Sequence, residues 1–132
     1  MKHQGSCLCG QVRFVIDGGF DHFFLCHCER CRKDTGSAHA ANLFASDAQL
    51  SWLAGEERVR VYQLTGTQHI KSFCTECGSA LPTRQNNGRL LVVPAGCLDT
   101  PPAIRPQAHI FVGSKADWDQ ITGDIVQFAA LP

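Results

Sequence analysis

The hexapeptide Cys26-His27-Cys28-Glu29-Arg30-Cys31 packs three thiols and an imidazole into six residues. A second set, Cys7-Leu8-Cys9-Gly10, precedes it, and a third, Cys74-Thr75-Glu76-Cys77-Gly78, lies well after it. Cys97 completes the eight cysteines of the chain. Compartment decides how they are read. The start, Met1-Lys2-His3-Gln4-Gly5, lacks the apolar segment of a secretory signal. No apolar run approaches the length of a membrane span. The expected location is therefore the cytoplasm. In a reducing cytosol, closely spaced cysteines read as metal ligands before disulfides. Neighbours in a Cys-x-Cys pair are poor disulfide partners for each other, although an oxidised framework between distant cysteines stays open.

A chain of 132 residues suits one domain, here residues 1–132. At that length roughly two-thirds of the unfolded surface is buried, enough for a core. Twelve basic residues balance twelve acidic ones. No global field then favours phosphate, which argues against a nucleic-acid partner or an anionic membrane surface.

The pattern along the chain is of short strands. Gln11 to Ile16 alternates polar and apolar residues, and Asp17-Gly18-Gly19 breaks it. Phe23-Phe24-Leu25 delivers the chain to Cys26. Glu29 to Asp34 tolerates a helix that Thr35-Gly36 would end. Further strands are expected over Ala38–Phe44, Gln49–Leu53 and Val59–Leu64, and His69–Phe73 runs into the third cysteine pair. Ala80–Gln85 and Arg89–Val93 flank Asn86-Asn87-Gly88, a hairpin signal because a type I′ turn needs positive φ at both central residues. Pro101, Pro102 and Pro106 mark an irregular connection, Ala108–Val112 a last strand, and Ser114–Trp118 a short helical turn. The fold class is mainly β with little helix.

Cys74-x-x-Cys77 lets a tight turn aim two sulfurs at one point, and Gly78 lets backbone amides approach them. Cys7-x-Cys9-Gly10 has the same trailing glycine. Joined, the pairs give four thiolates in a tetrahedral, structural zinc site with no free position. A thioredoxin-like redox pair and an iron–sulfur cluster are the competing readings.

Cys26, Cys28 and Cys31 supply three ligands locally, with Cys28 and Cys31 on one face of a helix start whose amides favour thiolate. Candidates for a fourth ligand are Cys97, His27, His39, His69 and His109. His27, between two ligands, is expected to point away from the metal, and Cys97 to be buried near the site. Left open, a zinc held by three sulfurs is electron-rich and a poor generator of hydroxide. It suits an incoming thiol, whose pKa it lowers. Ligand type thus favours carbon–sulfur chemistry over hydrolysis. His27 and His39 are candidates for a proton-transfer role. Arg30, Arg32 and Lys33 are candidates for pairing with substrate carboxylates.

These residues carry a family resemblance. Gly5-Ser6-Cys7-Leu8-Cys9-Gly10-Gln11-Val12-Arg13-Phe14 resembles the opening of the glutathione-dependent formaldehyde-activating enzymes. The segments from Cys26 to Ala38, Phe73 to Leu81 and His109 to Trp118 resemble the same family, which includes vertebrate centromere protein V. The resemblance implies an Mss4-like (β-tent) fold of antiparallel sheets stabilised by zinc. It implies two zinc ions per chain: a structural one on Cys7, Cys9, Cys74 and Cys77, and a catalytic one on Cys26, Cys28 and Cys31. The implied activity is that of a carbon–sulfur lyase adding a small thiol, such as glutathione, to formaldehyde or a related carbonyl. A non-catalytic zinc-stabilised binding module is the alternative that the same fold permits.

Overall fold

A computed structural model describes all residues, 1–132. Twelve strands and one α-helix follow one another along the chain. They are β1 (Lys2–Ser6), β2 (Arg13–Asp17), β3 (His22–Cys26), α1 (Glu29–Thr35), β4 (Ala40–Ala45), β5 (Gln49–Ala54) and β6 (Val59–Gln63). Then come β7 (Ile70–Cys74), β8 (Ala80–Leu81), β9 (Thr83–Gln85), β10 (Leu90–Pro94), β11 (Ala108–Ile110) and β12 (Val126–Gln127). The class is mainly β, as the short alternating segments require.

Three sheets form, in the strand orders β1-β2-β5, β12-β11-β3-β4-β10-β9 and β6-β7-β8. Pairing is antiparallel except around β11, which runs parallel to both β3 and β12. That exception follows from the proline-marked connection before β11, which is long enough to bring the chain back in the same direction as β3.

The main core gathers side chains from all three sheets. Phe14, Ile16, Leu43, Leu81, Leu91 and Val93 are each at most 1% exposed. Each such burial stabilises the fold by roughly 1.5–3 kcal/mol. Cys7 and Cys74 belong to this core, whereas Cys26 and Cys31 belong to a smaller one with Ala40, Ala108 and Ile110.

Local details differ from the sequence pattern for identifiable reasons. β1 carries no strand signal, yet it pairs with β2 along its whole length. Its inward positions are His3, 2% exposed, and Gly5, whose missing side chain makes room for the Phe14 ring and the Cys97 carbonyl. Pro82 divides the expected Ala80–Gln85 strand between two sheets. The Asn86-Asn87-Gly88 hairpin forms, but Gln85 pairs with Leu90, so the loop has four residues, and Asn86, Asn87 and Gly88 all take positive φ. The helical turn expected over Ser114–Trp118 is instead a 3-10 turn at Val112–Ser114.

Candidate functional site

Cys7 and Cys9 sit in the turn between β1 and β2, and Cys74 and Cys77 at the turn between β7 and β8. Folding brings all four sulfurs within 4.8 Å of one another, a spacing that could hold a metal ion. Cys7 Sγ and Cys9 Sγ are 3.5 Å apart. The main chain donates to sulfur from Val12 N–H to Cys7 (3.3 Å) and from Glu76 N–H to Cys74 (3.4 Å), which offsets thiolate charge. Ser79, which the sequence reading passed over, ties the two turns together. Its hydroxyl accepts the Leu8 N–H at 2.8 Å and lies 3.4 Å from Cys77 Sγ. That hydroxyl, with the Ser79 and Cys9 amides, draws the Cys77 thiol down to about 5. Gly78, at φ 76°, supplies the left-handed residue that the turn needs.

The second cluster is built from one short segment. β3 ends at Cys26, Cys28 caps α1, and Cys31 lies within it. Cys28 Sγ accepts the Cys31 N–H at 3.3 Å, and Gly36 closes the helix in the left-handed region. The three sulfurs lie within 4.8 Å of one another, and none of His27, His39, His69, His109 and Cys97 places a donor among them. The trio shares its protons unevenly. The hydrogen bond with Cys31 draws the Cys26 thiol down to about 6, and the same bond, with burial, pushes Cys31 up.

The other candidates find separate places. His27 is fully buried and turned away from the trio. Its Nε2 is 2.8 Å from His109 Nδ1, and its Nδ1 is 3.3 Å from Asp119 Oδ2. His39 packs against both rings, at centroid distances of 5.0 and 6.1 Å. Burial, then the neighbouring histidines, lowers the pKa of His27, and burial followed by His39 lowers that of His109. This group braces the chain behind the trio. Cys97 packs partly buried against the main core, and burial pushes its thiol up to about 12. All eight cysteines are free thiols.

In front of the trio lies a cavity of about 430 Å³ between the six-stranded sheet and the β6-β7-β8 sheet. Pockets for small ligands span roughly 300–1,000 Å³. Cys26 and Cys31 form part of its wall, with Ile110, Phe111 and Leu81 as apolar neighbours. Phe111 holds a left-handed backbone, φ 56° and ψ 38°, a conformation that costs on the order of 1 kcal/mol in a bulky residue. Its N–H bonds to the Ala130 carbonyl at 3.0 Å, which helps hold it there. Arg30, Arg32 and Lys33 do not line the cavity; Asp34, His69 and Lys71 do.

Fold and clusters together define a mainly-β protein with two thiol groups able to hold metal ions, one of them at the edge of a ligand-sized cavity. Residues 2–114 match the family of glutathione-dependent formaldehyde-activating enzymes, and the chain belongs to that family. It is 34% identical over 131 residues to a Halomonas elongata protein named provisionally as such an enzyme, covering 92% of this chain and 82% of that one. Its fold is similar to the crystal structure of a Rhodobacter sphaeroides protein, with a TM-score of 0.56 and 26% identity over 78% of this chain and 91% of the other. No helix is long and apolar enough to cross a membrane.

Proposed function

We propose that the chain is a single-domain, zinc-dependent enzyme of the carbon–sulfur lyase type, which adds a small thiol such as glutathione to formaldehyde or a related carbonyl in the cytoplasm. The supporting observation is the asymmetry of the clusters. Four thiols meet around one point, while three meet at the edge of a cavity with no fourth histidine, cysteine or carboxylate donor beside them. Soft sulfur donors gathered this closely fit zinc. Cys7, Cys9, Cys74 and Cys77 would hold the structural ion, and Cys26, Cys28 and Cys31 the catalytic one. Bound by the trio, zinc supplies a site at which an entering thiol loses its proton readily.

The chain's own residues do the rest. Cys26 and Cys31 set the position of the sulfur-binding point on the cavity wall. Ile110, Phe111 and Leu81 contribute apolar surface to that wall. The cavity beyond them gives the remainder of the thiol and its carbonyl partner a shared space, so that two reactants meet in a fixed orientation.

The test is magnetisation-exchange nuclear magnetic resonance of formaldehyde, glutathione and their adduct, with protein carrying two zinc ions per chain. Exchange should be faster with protein than without, and the Cys28→Ser variant should abolish the gain. An exchange rate unchanged by the fully loaded protein would reject the formaldehyde reaction.

A further inference from the structure

The cavity wall holds a charged group that the thiol clusters leave unexplained. Asp34 projects from the last turn of α1, three residues beyond Cys31. His69 and Lys71 flank the start of β7. Asp34 Oδ2 is 2.8 Å from His69 Nε2, and Asp34 Oδ1 is 3.0 Å from Lys71 Nζ. Lys71 Nζ also donates to the Asp34 carbonyl at 2.7 Å. The three side chains are only 17–25% exposed. They line the same cavity as Cys26 and Cys31.

Simple chemistry fixes how this group is set. A carboxylate paired with a lysine accepts hydrogen bonds and does not donate them. The proton of His69 therefore sits on Nε2, towards Asp34, and Nδ1 is left as a free acceptor. The His69 main-chain N–H bonds to Thr67 Oγ1 at 3.1 Å and anchors the backbone that carries the ring. Lys71 holds the carboxylate from its other side, so the ring has one preferred orientation. A histidine with its tautomer fixed by a carboxylate, on the wall of a reaction cavity, is arranged to take up and return one proton.

We propose that His69 is the proton carrier of the thiol–carbonyl reaction, with Asp34 and Lys71 as positioning residues. This rests on the reading that a thiol is received at the Cys26, Cys28 and Cys31 trio. As a thiol enters, its S–H proton passes to His69 Nδ1. The sulfur lone pair then forms the C–S bond with the aldehyde carbon, and the C=O π pair moves to oxygen. His69 returns the proton to that oxygen and gives the hydroxymethyl product. The C–S and O–H bonds form, the S–H bond and the C=O π bond break, and nothing is oxidised. The charged and titratable groups around His69 are Asp34 and Cys31 on α1, Lys71 on β7 and Cys26 at the end of β3.

The test reads protons rather than turnover. Glutathione is titrated calorimetrically into zinc-loaded protein at pH 7 in buffers of different ionisation enthalpy, which gives the number of protons released per thiol bound. The wild-type chain should release well under one, because His69 keeps the proton. His69→Gln should release close to one, and its exchange rate should fall by roughly 10²-fold or more. Asp34→Asn should fall between them. For His69→Ala, with its metal content verified, added imidazole should restore part of the lost rate, a rescue that a purely structural role would not show. Equal proton release from wild type and His69→Gln, with equal thiol affinity, overturns the proton carrier and leaves the thiol reading standing. Failure of the loaded wild-type chain to bind glutathione overturns both.

Discussion

Cys7, Cys9, Cys74 and Cys77 come from two turns that belong to two different sheets, whereas Cys26, Cys28 and Cys31 come from six consecutive residues at the end of one strand. The first cluster closes a loop spanning half the chain and is rooted in the main core through Cys7 and Cys74. The second closes almost no loop and is rooted in the small core below the cavity. A metal in the first would restrain the unfolded chain strongly, and a metal in the second hardly at all, since closure entropy grows with loop length. Ligands drawn from distant segments would therefore stabilise the fold. Local ligands would leave room for chemistry, because one short segment can present three sulfurs without surrounding a metal.

The sharpest way to break this contrast is to remove one sulfur from each cluster. Cys74 is fully buried, and Cys74→Ser would take a ligand from the proposed closed site. Structural zinc contributes on the order of 10 kcal/mol in small zinc domains, comparable with the whole stability of a typical domain. The expected outcome is a chain largely unfolded at 25 °C by circular dichroism. Cys28→Ser is the matched change. A serine hydroxyl caps a helix well, so α1 survives the exchange. This variant should stay folded, retain one zinc of two by metal analysis, and lose the exchange activity. Equal unfolding of both variants would end the proposed division of labour.

A smaller effect is expected at the seam that carries Cys7 into the closed cluster. A methyl group at Gly5 would meet the Phe14 ring and stand 2.6 Å from the Cys97 carbonyl oxygen. Gly5→Ala should destabilise the protein by about 1–3 kcal/mol, the usual range for overpacking, as read from urea unfolding. The same substitution at Gly36, where nothing lies within 4 Å, meets only the strain of a left-handed backbone, φ 64°. It should cost about 1 kcal/mol.

Much of this was legible in the sequence because it is written locally. The sevenfold cysteine pattern gives both clusters, Gly36 ends α1, and alternation or turn chemistry marks most strands. What was hidden depends on distant partners. β1 reads as polar because its buried positions are a histidine and a glycine, and its role appears only when Phe14 fills the space above Gly5. Asp34 and His69 are 35 positions apart, and nothing in either segment announces the pairing. The basic residues nearest the trio in sequence, Arg30, Arg32 and Lys33, do not line the cavity. That His27 faces away from the sulfurs follows from its place between two cysteines, but its partners, His109 and Asp119, come from the far end of the chain.

The mildest test sharpens the comparison through pH. The Ser79 hydroxyl is the leading cause of the lowered Cys77 thiol, at about 5, and it also joins the two turns of the closed cluster. A thiol whose folded pKa lies below its ordinary value contributes stability that is present above that ordinary value and is lost as pH falls through the folded one. Protons compete with a metal for these sulfurs, so a metal on this cluster should be released as pH falls. Ser79→Ala removes the hydroxyl, raises the Cys77 pKa, and moves this release to higher pH. The lost Leu8 hydrogen bond should add less than about 1 kcal/mol of destabilisation, because it is exposed. The trio does not touch Ser79, so its own release should not move. An indicator dye following zinc loss during acid titration would then show one of two steps displaced. Displacement of both would mean that the clusters are coupled through the sheets and do not act as separate sites.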